Sequence, residues 1–195
     1  IQSKLIPIGF DADANKVPLE NLSIAHKRPW IRTLFKDLEF VKKYTSSLEE
    51  ISKKEYLDSF LSKNKNEFNK NINILYKSFP ALETNTKQIY ENQYAIKQYL
   101  NPPLPLNSFL QNINKSEIIL SIGNNQVLPI EVQGVEINNK KILIKPKILR
   151  SKFDGDFVNY EEIPFPLNGN KFDNKMELNK IRLIYSVHGT KSIKK

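Results

Sequence analysis

Cysteine is absent from this chain of 195 residues, which excludes disulfides, zinc–thiolate centres and thiol catalysis. Only two histidines occur, His26 and His188, too few to build a histidine-rich metal site by themselves. Glycine is scarce, at six residues, and neither G-x-G-x-x-G nor P-loop spacing occurs among them. A glycine-rich phosphate cradle is therefore missing. No apolar run approaches the roughly 20 residues needed to span a bilayer, and no signal peptide is visible. Serine-triad and paired-carboxylate hydrolase patterns have no support beyond composition.

What remains is ordinary core-forming material with a strong excess of positive charge. Hydrophobic residues make up 39%, enough for a real core, and the formal net charge is +9. The lysines are scattered through every segment. Clustering, not total charge, marks a nucleic-acid footprint, so nucleic acid is disfavoured as a partner. The densest basic stretch runs from Lys140 to Lys152. Within it, Lys141, Lys145, Lys147 and Arg150 are candidates for contacting an anionic partner such as an acidic polymer. Lysine alternating with isoleucine also describes the solvated face of a sheet, with edge lysines guarding against aggregation.

The chain changes character at Asn101-Pro102-Pro103-Leu104-Pro105-Leu106, where three prolines in four positions favour an extended connector. Three parts are expected: helices over 1–100, a proline-rich linker over 101–107, and strands over 108–195. A short strand, Lys4 to Phe10, precedes the helices. A helix starts near Pro29 with Trp30, Ile31, Leu34 and Phe35 at helical spacing. Asp37 is placed to cap a second, with Leu38, Val41, Tyr44 and Leu48 as its stripe. Ser52 with Glu55 has capping-box spacing ahead of Tyr56, Leu57, Phe60 and Leu61. Helix is expected again through Phe68, Ile72, Leu75, Tyr76 and Phe79. After Thr84 or Asn85, a last helix carries Ile89, Tyr90, Tyr94, Ile96 and Tyr99. The aromatic residues are expected to fill interhelical seams.

Beyond the prolines the strand signals are Glu117–Ile122, Val127–Val135, Lys141–Ile148 and Ile181–Val187. Turns are expected at Gly123-Asn124-Asn125, Asn138-Asn139, Asp154-Gly155-Asp156, Asn168-Gly169-Asn170 and His188-Gly189-Thr190. The fold class is α+β: a helical first half followed by a small antiparallel β-sandwich.

The most pointed chemical feature is Leu5-Ile6-Pro7-Ile8-Gly9-Phe10-Asp11-Ala12-Asp13. An apolar, strand-like run ends on two carboxylates one residue apart. On an extended chain Asp11 and Asp13 face the same side and can approach one hard cation such as Mg²⁺. Two aspartates in a loop are also common as turn formers. His26 and Arg28 are candidates for phosphate contact, against the simpler role of a solvated lead-in to the helix. Asp154 and Asp156 around Gly155 are a weak calcium-turn signal.

The run from Leu5 to Asn15, followed by Trp30-Ile31-Arg32-Thr33-Leu34-Phe35, Phe40-Val41-Lys42-Lys43-Tyr44 and Leu48, resembles the C-terminal part of CotH kinase-like proteins. Asp37, Glu39, Phe40, Tyr44 and Leu48 match that family's helix pattern, and Ser52 to Leu61 its succeeding helix. The resemblance covers about residues 4–100. It implies kinase C-lobe-like helices, with Asp11 and Asp13 holding Mg²⁺ against ATP phosphates. In a larger parent protein it implies ATP-dependent transfer to a protein Ser/Thr hydroxyl. Asn15 stands where the family has glycine, and the nucleotide-holding lysine and earlier catalytic acid have no counterpart. Residues 1–195 are accordingly expected to be a fragment, cut at both ends and inactive alone. The resemblance also implies a bacterial cell-envelope or extracellular setting, with the rest of a larger polypeptide or another protein as partner. The competing expectation is a non-enzymatic binding or assembly module of an envelope complex, whose β part docks a protein or a polysaccharide.

Overall fold

The structure, a computed structural model, describes residues 29–81, 86–153, 155–167 and 181–194. Among the described residues, five helices come first: α1 (Pro29–Leu34), α2 (Leu38–Ile51), α3 (Lys54–Lys63), α4 (Lys65–Ser78) and α5 (Lys87–Tyr99). Six described strands follow: β1 (Leu106–Ile113), β2 (Glu117–Asn124), β3 (Ile130–Ile137), β4 (Lys140–Leu149), β5 (Tyr160–Pro166) and β6 (Arg182–Val187). The α+β expectation therefore holds. The strands form two antiparallel three-stranded sheets, in the orders β1–β2–β5 and β4–β3–β6.

Asp37 caps α2 as expected. Its extended backbone and its carboxylate, accepting from Glu39 N at 2.9 Å and Phe40 N at 3.3 Å, satisfy orphan donors of the first turn. Val41, Thr45 and Leu48 then recur at i, i+4 and i+7 and are buried. The Ser52 capping box does not form. Ser52 ends α2 instead, donating its hydroxyl to Glu49 O at 2.8 Å, and Lys53 occupies the α3 N-cap without a side-chain cap. Only Ser52 and Lys53 separate the two helices, and the serine that closes one does not also open the next. Thr84 and Asn85 lie outside the described residues.

Strand β1 was not legible in the sequence, because the prolines before it read as pure connector. Strand β5 was hidden by Pro164 and Pro166. Both prolines sit on a strand paired only to β2, and Pro146 sits likewise on β4, paired only to β3. Edge strands tolerate a residue that cannot donate to the ladder. Gly123 and Asn124 continue β2 instead of turning. Asn138 and Asn139 do turn, with φ of 50° and 64°, the paired left-handed geometry of a tight hairpin.

Two apolar clusters hold the molecule together. In the first, Ile118, Leu120 and Ile122 of β2 meet Val132, Val135 and Ile137 of β3, with Ile142, Leu149, Ile163 and Phe165 from β4 and β5. Both sheets thus contribute to one core. In the second, Phe35, Val41, Leu48, Ile96 and Leu100 from the helical half join Leu128, Ile130, Phe153 and Val187. Each such side chain contributes about 1.5–3 kcal/mol on burial. The half-exposed Lys147–Glu161 ion pair between β4 and β5, at 3.1 Å, is worth about 0–1 kcal/mol. Apolar packing therefore decides the arrangement, and the ion pair trims its rim.

Candidate functional site

The junction of helices and strands is built from polar contacts as well as apolar ones. Gly189, at φ +88°, turns the chain after β6 so closely against α2 that a Cβ would lie 2.4 Å from Thr45 Oγ1 and 2.5 Å from Lys42 O. Only glycine fits there. The buried Thr45 hydroxyl lies among the carbonyls of Val41, Lys42 and His188, and its single proton serves one of them at a time. Glu49 on α2 accepts from the Lys191 amide at 2.9 Å, and from the Ser192 amide and hydroxyl at 3.2 and 2.9 Å. Lys194 pairs back with Tyr185 through its backbone, and its ammonium donates to Leu100 O. Burial holds the Lys194 amine below its ordinary value.

His188 is 5% exposed. Its Nδ1 faces the Glu131 carboxylate and its Nε2 faces Leu38 O at 3.1 Å. Both partners are acceptors, and through them the residue ties β3 to the start of α2. The sequence offered no signal for this pair, since 57 positions separate its members.

Asp11, Asp13, His26 and Arg28 lie outside the described residues. Among the described residues, no group of three or more His, Asp or Glu is arranged to hold a metal ion. Asp156, half of the supposed calcium turn, is engaged elsewhere. Its two oxygens accept from Arg32 Nη2 of α1 at 2.5 and 2.6 Å, while that guanidinium lies 4.8 Å from the centre of the Phe153 ring. The Arg32 hydrogen bond, with its charge, holds the Asp156 carboxyl below its ordinary value. Asp154 is not among the described residues.

Three of the four basic candidates lie along β4, and Arg150 follows it directly. Lys141 lies opposite Glu136 in the β3–β4 ladder, and Lys147 is paired with Glu161. Arg150 lies beyond the strand, lining a small recess with Lys36 and Ser151. Lys145 is exposed. A separate cleft between the α2–α3 junction, the end of α5 and the 188–194 segment carries Lys53, Lys54, Lys97 and Lys194. Glu49 and Glu55 line the same walls, which leaves an excess of two positive charges.

The aromatic expectation needs correction. Tyr56, Phe60, Phe79 and Tyr94 are 44–65% exposed, and Tyr76 and Tyr90 are exposed as well. Among the described residues, Phe35, Phe40 and Tyr44 form a ring cluster with centroids 5.1–6.3 Å apart, and Tyr99 packs on the same core. Helix α4 has no buried residue at all. Its Phe68, Ile72, Leu75 and Phe79 repeat at i, i+4, i+7 and i+11, an apolar stripe of the kind that normally covers a core. Helical spacing predicts that such residues share a face. Whether another element covers that face is a tertiary fact.

Among the described residues, no helix is long and apolar enough to cross a membrane. No family model, curated protein or solved structure matches the chain.

Proposed function

We propose that this chain is a non-enzymatic binding and assembly module that docks a protein partner along α3 and α4. The single observation behind this is the apolar stripe of α4, which no described residue buries, with Tyr56 and Phe60 exposed on α3. Contiguous exposed apolar surface of this kind marks interaction sites. Helices α3 and α4 carry Lys54, Lys63, Lys65, Lys70 and Lys77 against Glu55, Asp58 and Glu67, an excess of two positive charges. The fitting partner is therefore an amphipathic helix with an acidic rim. The apolar cluster common to β2, β3, β4 and β5 supports reading the two sheets as a small antiparallel sandwich that carries these helices.

The test is a chain bearing Phe68→Asp and Leu75→Asp. Its melting temperature should stay within about 2 °C of the parent, as expected for exposed positions. In the source cells, crosslinks from Lys65, Lys70 and Lys77 to one partner should disappear in the variant. A fall of more than about 8 °C would mean that this chain covers its own stripe, and would overturn the proposal.

A second reading follows the family resemblance: the downstream part of an atypical, ATP-dependent protein kinase that uses Mg²⁺. The capping of α2 by Asp37, with Phe40, Tyr44 and Leu48 along that helix, agrees with it. Equal thermal stabilisation by Mg²⁺ in the parent and in a chain with Asp11→Ala and Asp13→Ala would remove its metal site.

A further inference from the structure

The sheet β1–β2–β5 differs from the rest of the molecule in charge. Its 23 residues include Glu117, Glu161 and Glu162 and no lysine or arginine, within a chain of net charge +9. The other sheet carries four lysines on β4 and Arg182 on β6. Strands that carry three glutamates and no cation of their own are a poor seat for phosphate or other polyanions.

One face of this sheet also carries aromatic rings in an unusual position. Phe109 on β1 pairs with Ser121 of β2, and Tyr160 on β5 pairs with Gly123 of β2. The two aromatic residues stand on opposite sides of the middle strand. Adjacent strands are about 4.8 Å apart, so upright rings would be separated by roughly twice that distance. Their centroids are 5.5 Å apart, with planes at 52°. Both rings therefore lean inward across β2, which is possible only because β2 offers small residues there. A Cβ on Gly123 would lie 2.9 Å from Tyr160 Cε1 and 2.4 Å from Val158 Cγ1. Ser121 and Gly123 are buried although they lie on the outer face. Phe109 and Tyr160 remain 56% and 40% exposed. Glu162, opposite Ser121, and Asn107, opposite Gly123, supply hydrogen-bonding groups beside the rings.

The geometry points to a binding surface for a neutral glycan on this face, with Phe109 and Tyr160 stacking on the apolar faces of successive pyranose rings. Aromatic rings held against a sheet offer apolar area with little side-chain entropy left to lose. The Asn107 amide and the Glu162 carboxylate lie where sugar hydroxyls would find a donor and an acceptor respectively. The Glu162 carboxylate beside the rings, with no cation on these three strands, favours an uncharged saccharide over an acidic one or a nucleic acid. This inference does not depend on the α3–α4 reading, since the two surfaces share no residue.

The test is an NMR titration of the isotope-labelled chain with cellohexaose, mannohexaose and N-acetylchitohexaose. Hexagalacturonate and a ten-base oligothymidine serve as anionic probes. At least one neutral hexasaccharide should bind with a dissociation constant below about 1 mM, shifting resonances around Phe109, Gly123 and Tyr160. Phe109→Ala and Tyr160→Ala should each weaken binding at least tenfold while leaving the fold's spectrum intact elsewhere. Glu162→Lys should admit hexagalacturonate. If no neutral hexasaccharide shifts these resonances at 5 mM, the proposal fails. It fails equally if the oligonucleotide binds this face in the parent chain. It also fails if the same resonances shift with protein concentration alone, which would make the face a self-association surface.

Discussion

Arg32 and Asp156 show how a single side-chain pair connects the two halves. The guanidinium reaches from α1 to the loop beyond β4, meets a carboxylate with both oxygens in contact, and lies over Phe153. The Asp156 value is lowered from 3.8 by this partner. A carboxylate depressed in the folded state contributes stability that is complete above its unfolded value and is lost as pH falls through the folded value. The parent chain should therefore exceed an Asp156→Asn variant in melting temperature at pH 6. The gap should narrow progressively below pH 3.8 and close in strong acid. Thermal melts of both proteins across pH 2–7 would check it. A constant gap across that range would assign the contact to shape instead of charge. Sequence could not have paired residues 124 positions apart, and Asp156 looked like part of a turn because its immediate neighbours are turn formers. Val41 and Leu48, by contrast, were legible as a buried stripe, because helical periodicity is a local property and here agrees with the tertiary packing.

At the level of elements, α4 and α2 form an instructive pair. Both are 14 residues long and both are amphipathic, yet α2 buries three residues and α4 none. An isolated helix of this length is marginal in water, since most helical stability comes from packing an apolar face. Amide hydrogen exchange should therefore divide them. Protection in α2 should approach that of the central strands, and α4 should exchange orders of magnitude faster. Equal protection of both would show that α4 is covered. The sequence assigned both helices correctly and could not tell them apart, because their periodic signals are alike. Strand β1 failed for the opposite reason. Its LNSFLQNI pattern lacks the alternation of a half-buried strand, and almost all of its side chains are exposed. Partnership with β2, not burial, makes it a strand.

Across the whole molecule, the helical cluster is not a self-sufficient unit. Phe35, Val41, Leu48, Ile96 and Leu100 are completed by Leu128, Ile130, Phe153 and Val187 from the strand half. The proline boundary is a change in secondary structure, and the packing runs across it. Far-UV and near-UV circular dichroism should accordingly report one coincident thermal transition. Val41→Ala, at a position with no exposure, should lower the stability of that single transition by about 1–3 kcal/mol, the range for losing buried methyl groups. Two separated transitions, with only the helical one moved by Val41→Ala, would show that the halves melt independently.

The strand edges differ in how they meet another chain. Pro146 interrupts the outer side of β4, Pro164 and Pro166 that of β5, and Lys194 lies against β6. Strand β1 has only an irregularity at Gln111 and no proline. It is thus the described edge best able to receive a foreign strand. When crowding or partial melting brings molecules together, seeding should begin at residues 106–113, beside the leaning aromatic rings. A ligand seated on those rings would then double as a guard against fibre growth.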